Sequence, residues 1–541
     1  MDALEHPRRS RRGRWTAAGT AVLLGGAGLL AATPAAAAPG GPGGPGGAPA
    51  GCERRVNADV EKLLRCVTVE GVVEHLEALQ GIAEANGGNR ASTTPGYAAS
   101  VDYVRDTLEA SGYQVEVSDF TYDEVSYGSE LTQLTPTAAT YAPDTDYVPV
   151  DGTASGTTTA AVVAVDYAST TSGCEAADFA GFSAGSIAVV KRGTCTFGAK
   201  AANAVAAGAS GVVIANNAPG LLNPTLGGPS TVPVVFATPE VGAALAVDGA
   251  TATLAVEVIT ETRTSQNVTA ELPGRSDDGV VVVGGHLDSV PEGPGINDNG
   301  SGSATILEVA QNLASTRLAH PVRFAFWGAE ELGLLGSQAY VDSLTEAELG
   351  GIGAYLNFDM LGSPNFANFV YDSDGSTFPA PEGYVTPESA AIEATFREFY
   401  DSRGIAYEDT EFDGRSDYQA FADAGIPSGG LFSGAEGTKT ADQAARYGGT
   451  AGQPYDACYH QACDDLTNVS TVALDQNSDA VAYAVLVTAQ AGGGPGQGPG
   501  GPGGPGHGGP GHGGPGHGGP GHGGPGHGGP GHGHGHGATS A

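Results

Sequence analysis

The chain has 541 residues, with 23 Lys and Arg against 60 Asp and Glu, for a formal net charge of −37. A surface this acidic repels nucleic acid and anionic lipid, which sets aside binders of either. The length admits two or three domains, and no GxxxxGK(S/T) loop, basic aromatic patch or second hydrophobic span occurs.

The first elements read as export machinery. Arg8, Arg9, Arg11, Arg12 and Arg14 precede an apolar run from Ala17 to Ala32 and the small residues Ala35 to Ala37. This is the pattern of a signal peptide over 1–37 with cleavage after Ala37, too short to persist as a membrane anchor. The twin arginines leave the folded-protein export route open. Loss of this segment leaves 18 basic and 58 acidic residues, a net charge of −40. A secreted, extracellular protein without a membrane anchor is expected, and a monomer.

Residues 38–54 form a Gly/Pro/Ala-rich linker. From Gly71 to Tyr113, hydrophobic periodicity predicts two amphipathic helices split by GGNRASTTPG, and YQVEVSDFTY then reads as a strand. Between about Thr137 and Thr260 the texture changes to short β-rich runs such as GSIAVVKRG, GVVIAN and VPVVFA. From there strands (DGVVVVGGHLD, VRFAFWG, AYLNFDM, SGGLF) alternate with helices (SATILEVAQNLAS, SAAIEATFREFYDS, VALDQNSDAVAYAVLVTA). Alternation of this kind predicts an α/β fold, an α/β/α sandwich on a mixed, largely parallel sheet, with the β-rich block inserted as a second domain. The boundaries expected are 55–136 and 256–490 for the main body and 137–255 for the insert.

Residues 491–541 repeat a Gly-Gly-Pro-Gly-His unit that cannot build a core, and a disordered tail is expected. Its eight histidines could capture metal loosely, although a plain spacer is the stronger reading. Between the tails only His75, His286, His320 and His460 remain. His75 sits in a helical pattern and His320 just before Pro321, positions that suit packing or surface roles. Six cysteines fall in three close pairs: Cys52–Cys66, Cys174–Cys195 and Cys458–Cys463. In an exported chain such pairing points to three local disulfides.

Chemistry concentrates in the last third. His286 (GGHLDSV), Asp298 (GINDNGSG), Glu330 and Glu331 (FWGAEELG), Asp359 (LNFDMLG) and His460 (CYHQAC) are imidazoles and carboxylates, the non-thiolate ligands of zinc. Several follow apolar strands, and ligands in open α/β sheets gather beyond the carboxyl ends of strands. Five ligands and one spare acid suit two zinc ions with a bridging carboxylate and a proton carrier. Each residue also has an ordinary alternative: Asp298 as a helix N-cap, Glu330 and Glu331 as a solvated first turn.

GGHLDSV, GINDNGSGSA, RFAFWGAEELGLLGS, YLNFDMLGSPN, DGRSDYQAF, GGLFSGAEGTKT and the YHQACD segment resemble, in the same order, the secreted di-zinc aminopeptidases of peptidase family M28. The likeness runs over roughly 67–130 and 260–490. The run IAVVKRGTCTFGAKAANAVAAGASGVVIANN resembles a protease-associated (PA) domain. The resemblance implies a zinc-peptidase fold of the phosphorylase/hydrolase-like type and an aminopeptidase that takes peptide N-termini, large apolar ones preferred. It implies Asp298 bridging two Zn2+ ions, with His286 and Asp359 completing one site and Glu331 and His460 the other. It also implies Glu330 as general base, Tyr459 as hydrogen-bond donor to the tetrahedral intermediate, and Arg415, with Asp359, on the substrate side. Asp298–Asn299 is by the same resemblance a candidate cis peptide, and Cys458–Cys463 matches a small family disulfide. Asp475 and Asp479 match part of a calcium site whose N-terminal acid has no clear counterpart near Cys66. The insert is expected near the active-site rim.

Overall fold

The computed structural model describes residues 51–491. The expected signal peptide, most of the linker and nearly all of the tail lie outside these residues. One linker expectation needs correction: Cys52–Arg54 forms a 3-10 turn with Cys52 buried, because the Cys52–Cys66 disulfide draws it onto the body.

Two helices open the body, Val69–Ala85 and Pro95–Ala110. Thr68 and Thr94 cap them by accepting the Gly71 and Tyr97 amides, and Pro95 pre-sets the first turn of the second. The strand that follows spans Val115–Thr135, far beyond the YQVEVSDFTY reading, and pairs antiparallel with Thr251–Leu272 along nearly its whole length. Its middle alternates polar residues on both faces, so no hydrophobic period marks it. What holds it extended is the partner strand.

The body's sheet runs, by position, Glu408–Thr410, Phe369–Tyr371, Ser428–Phe432, Ile352–Phe358, Val280–His286, Val322–Trp327 and Thr251–Leu272. The central strands are parallel; Phe369–Tyr371 runs antiparallel to Ser428–Phe432 but parallel to Glu408–Thr410, and Thr251–Leu272 runs antiparallel to Val322–Trp327. Val280–His286 is buried throughout because helices cover both faces. Val281 and Val283 pack with Leu307, Phe396 and Val485 on one side; Val280 and Val282 pack with Trp327, Tyr355 and Phe421 on the other. This is the mixed, largely parallel α/β/α sandwich that the alternation predicts.

The insert is strand-rich. Gly156–Ala164, Ile187–Lys191, Gly211–Ala215 and Val234–Ala237 lie parallel in that order, with its own apolar core. It also contains the helices Phe197–Ala206 and Pro239–Leu245, which the β-rich texture does not reveal. Both are short and Ala-containing, and their burial rather than a long periodic pattern sustains them. The expected 255/256 boundary falls inside the Thr251–Leu272 strand, which belongs to both parts. Disulfides join Cys52–Cys66, Cys174–Cys195 and Cys458–Cys463, and no cysteine among the described residues is free. No helix among them is long and apolar enough to cross a membrane.

Candidate metal centre

Three parallel strands end at one rim. Val280–His286 delivers His286, the turn after Val322–Trp327 delivers Glu330 and Glu331, and Ile352–Phe358 is followed by Asp359. Asp298 comes from the irregular segment Ile296–Ser301, ahead of the Gly302–Leu313 helix, across a cis Asp298–Asn299 bond. His460 stands in the loop closed by the Cys458–Cys463 disulfide. Ala329, Met360 and His460 all hold left-handed backbone, at φ 56°, 54° and 56°. Such conformations in non-glycine residues concentrate where function dictates side-chain aim.

Asp298 stands between the two imidazoles. Its Oδ1 is 3.3 Å from His286 Nε2, and its Oδ2 is 3.3 Å from His460 Nε2. On the first side Asp359 Oδ1 lies 3.4 Å from His286 Nε2; on the second Glu331 Oε2 lies 2.9 Å from His460 Nε2. Two ligand clusters, His286–Asp298–Asp359 and Asp298–Glu331–His460, share one carboxylate, and a third group, His286–Glu330–Glu331, overlaps both. Glu330 is set back, its Oε2 3.8 Å from His286 Nε2.

Buried Asp298 Oδ2, Glu331 Oε1 and Asp359 Oδ1 accept no hydrogen bond. Facing the two imidazoles but short of hydrogen-bond donors, these buried carboxylates are placed so that cations between them would supply the missing partners. A nitrogen and oxygen donor set without thiolate fits zinc. Burial, opposed by His286 and reinforced by Asp359, Asp417 and Glu331, pushes the Glu330 carboxyl well above its usual range. Burial and the charge of Asp298 raise Glu331 to about 7, with His460 opposing. Burial works against a charged His460, but Asp298 and Glu331 hold its proton up to about 10.

A supporting shell fixes the ligands, and the sequence reading did not identify it. The Asp288 carbonyl oxygen lies 3.1 Å from His286 Nδ1, leaving Nε2 for the centre. The Asp288 carboxylate accepts the Glu330 amide at 3.2 Å. Ser416 Oγ donates to Asp359 Oδ2 at 2.6 Å, and Asn357 donates to Ser416 in turn at 2.8 Å. Asn299 Oδ1 accepts the amides of Gly302 and Met360. Most of these links join residues tens of positions apart, and only the ligand-type motifs around them hint at their roles.

Beside the centre opens a pocket of about 240 Å³, with Phe369, Tyr371, Phe432 and Tyr455 in its lining. Tyr459 and Arg415 stand in it too. Arg415 donates to the Tyr459 hydroxyl at 3.1 Å and pairs with Glu436 at 2.9 Å. The Tyr459 ring stacks on His460 with centroids 3.8 Å apart. No residue of 137–255 lines this pocket, although the insert was expected at the rim. Asp475 and Asp479 are remote. Both stand on the Thr471–Gln490 helix, Asp479 lies 3.9 Å from Arg403, and neither is among the residues that line this pocket. His75 and His320 spend both ring nitrogens on protein partners, as packing residues do.

A parallel sheet carrying five convergent metal-type ligands and a spare acid at its carboxyl rim defines a metal-dependent hydrolase. The chain matches the family model "Peptidase family M28" over 267–485 and "PA domain" over 158–245. It is 49% identical to an aminopeptidase of Pseudomonas aeruginosa over 437 residues, 78% of this chain and 81% of that one. It is 39% identical to leucine aminopeptidase 2 of Trichophyton rubrum over 439 residues, 79% and 85% of the two chains. A solved zinc aminopeptidase from Bacillus subtilis superposes with a TM-score of 0.56 at 28% identity, covering 77% of this chain and 94% of that one. The chain belongs to peptidase family M28, and its enzymatic class is that of the zinc-dependent aminopeptidases.

Proposed function

We propose that the protein is a secreted aminopeptidase that holds two zinc ions and releases large apolar residues from peptide N-termini. The observation that carries this reading is Asp298, one oxygen at 3.3 Å from each of two histidines on opposite sides. His286, Asp298 and Asp359 would hold one ion, and Asp298, Glu331 and His460 the other. Zinc in these positions supplies Lewis acidity, lowering the pKa of a bound water and polarising the scissile carbonyl.

Glu330, buried beside the ligands but not among the nearest of them, takes the proton of the attacking water and returns it to the leaving amine. Arg415 donates to the phenol oxygen of Tyr459, so the phenol's own proton is free for the carbonyl oxygen as it gains charge. The guanidinium also faces the pocket, where it can hold a polar end of substrate or product. Glu330, Glu331 and Asp359 give the rim a negative field that favours a protonated α-amino group and restricts attack to the chain terminus. The aromatic wall suits a large apolar side chain, and the name of the Trichophyton relative agrees. Three disulfides and the export signal read in the sequence support secretion.

Aminoacyl-nitroanilides test the reading. Leu, Phe and Met substrates should exceed Gly and Asp in kcat/KM by at least about tenfold, the scale of 1–3 kcal/mol for side-chain burial in a pocket. N-acetylation should abolish cleavage. Comparable hydrolysis of blocked and free substrates would contradict the proposal.

A further inference from the structure

Arg90 has no exposed surface, yet it is not hydrogen-bonded to a carboxylate. Its guanidinium donates to three backbone carbonyls: Leu287, Pro294 at 2.9 Å and Gly295 at 2.6 Å. Asp464, also buried, does the converse. Its Oδ1 accepts the Asn297 amide at 2.9 Å, its Oδ2 accepts the Asp298 amide at 3.0 Å, and its carbonyl accepts the Ile296 amide at 3.0 Å. A cation therefore collects the carbonyls at the start of the turn 294–298, and an anion collects the amides at its end. Peptide groups of matching polarity meet each charge, and Asn468 Nδ2 adds one further bond to Asp464 Oδ1 at 3.1 Å.

The placement concerns ligands. Leu287 directly follows His286, Gly295 stands three residues before Asp298, and Asp464 is four residues after His460 in the chain that leaves the Cys458–Cys463 loop. The turn has no room to relax. A Cβ on Gly295, at φ 62°, would lie 2.4 Å from the Asp298 carbonyl oxygen, and one on Gly293 would lie 2.2 Å from that of Gln461 in the His460 loop. Burying a guanidinium and a carboxylate costs several kcal/mol that an apolar filler would not, so filling space does not account for the charges.

We infer that Arg90 and Asp464 are positioning residues, a charged clamp that aims the Asp298 carboxylate between the two imidazoles before any metal binds. The inference rests on the two-zinc reading. Supporting hydrogen bonds around metal ligands commonly carry 10–100-fold in metal affinity.

The test uses the full chain. In metal-stripped wild type, the amides of Asn297 and Asp298 should exchange with solvent slowly. Zinc titration against a competing chelator should show Arg90→Lys and Asp464→Asn binding at least about tenfold more weakly than wild type, with kcat largely recovered at saturating zinc. A role confined to fold stability would lower the melting temperature and leave affinity unchanged. Folded variants with wild-type zinc affinity would overturn the clamp, as would rapid exchange of both amides in the stripped wild type. The exchange result decides the matter should a variant fail to fold. Wild type that takes fewer than two zincs at the centre would sink the site assignment and the clamp with it, a result distinct from unaltered variants.

Discussion

Glu330 and Glu331 are adjacent in the chain and part ways in space. The Glu331 carboxylate meets His460 Nε2 at 2.9 Å, whereas Glu330 stays 3.8 Å from His286 Nε2 with its amide tied to Asp288. The proposed mechanism makes one acid a ligand and the other a proton carrier, and Glu330→Gln separates the roles. The variant should keep both zincs, measured by metal content, while kcat falls by about 10²–10⁴, the usual contribution of general acid–base catalysis. Undiminished turnover would remove Glu330 from the mechanism. His286, Glu330, Glu331 and Asp359 were legible because imidazole and carboxylate follow short apolar strands, whereas Asp298 and His460 stand on loops and were read from residue type and motif alone. Arg90 and Asp464 were not legible, because their partners are mainly backbone groups that no side-chain motif encodes.

At the scale of elements, the informative feature is the ribbon of Val115–Thr135 and Thr251–Leu272. Its two ends serve different cores. The body's apolar clusters use nothing between 118 and 267, whereas the insert's clusters lie within 127–258. Between them the strands pair only with each other, Tyr127 opposite Val258. Alternating helices and strands in the body were readable from hydrophobic period. The ribbon was not, since its exposed middle has no buried face to enforce one. Replacing 128–257 with a two-residue Asn-Gly turn between Tyr127 and Val258 should leave a folded, zinc-binding body, because that turn matches the twist of an antiparallel pair. We expect kcat/KM on aminoacyl-nitroanilides to stay within about threefold of wild type, because no insert residue lines the pocket. An unfolded product would show that the insert's core supports the body's.

For the whole molecule, a net charge of −37 coexists with a site that gathers four carboxylates around two histidines. An acidic exterior favours approach of cationic peptide termini and of divalent metal alike, more strongly at low ionic strength. The molecule's organisation reduces to one carboxylate, Asp298, shared between two clusters that otherwise come from four separate stretches of chain. Counting metal tests this most directly, in protein lacking 492–541 so that the tail histidines contribute nothing. Stripped of metal and titrated with zinc, that protein should bind two ions per chain and regain aminopeptidase activity as they bind. Saturation at a single ion, or full activity in the stripped protein, would contradict the account.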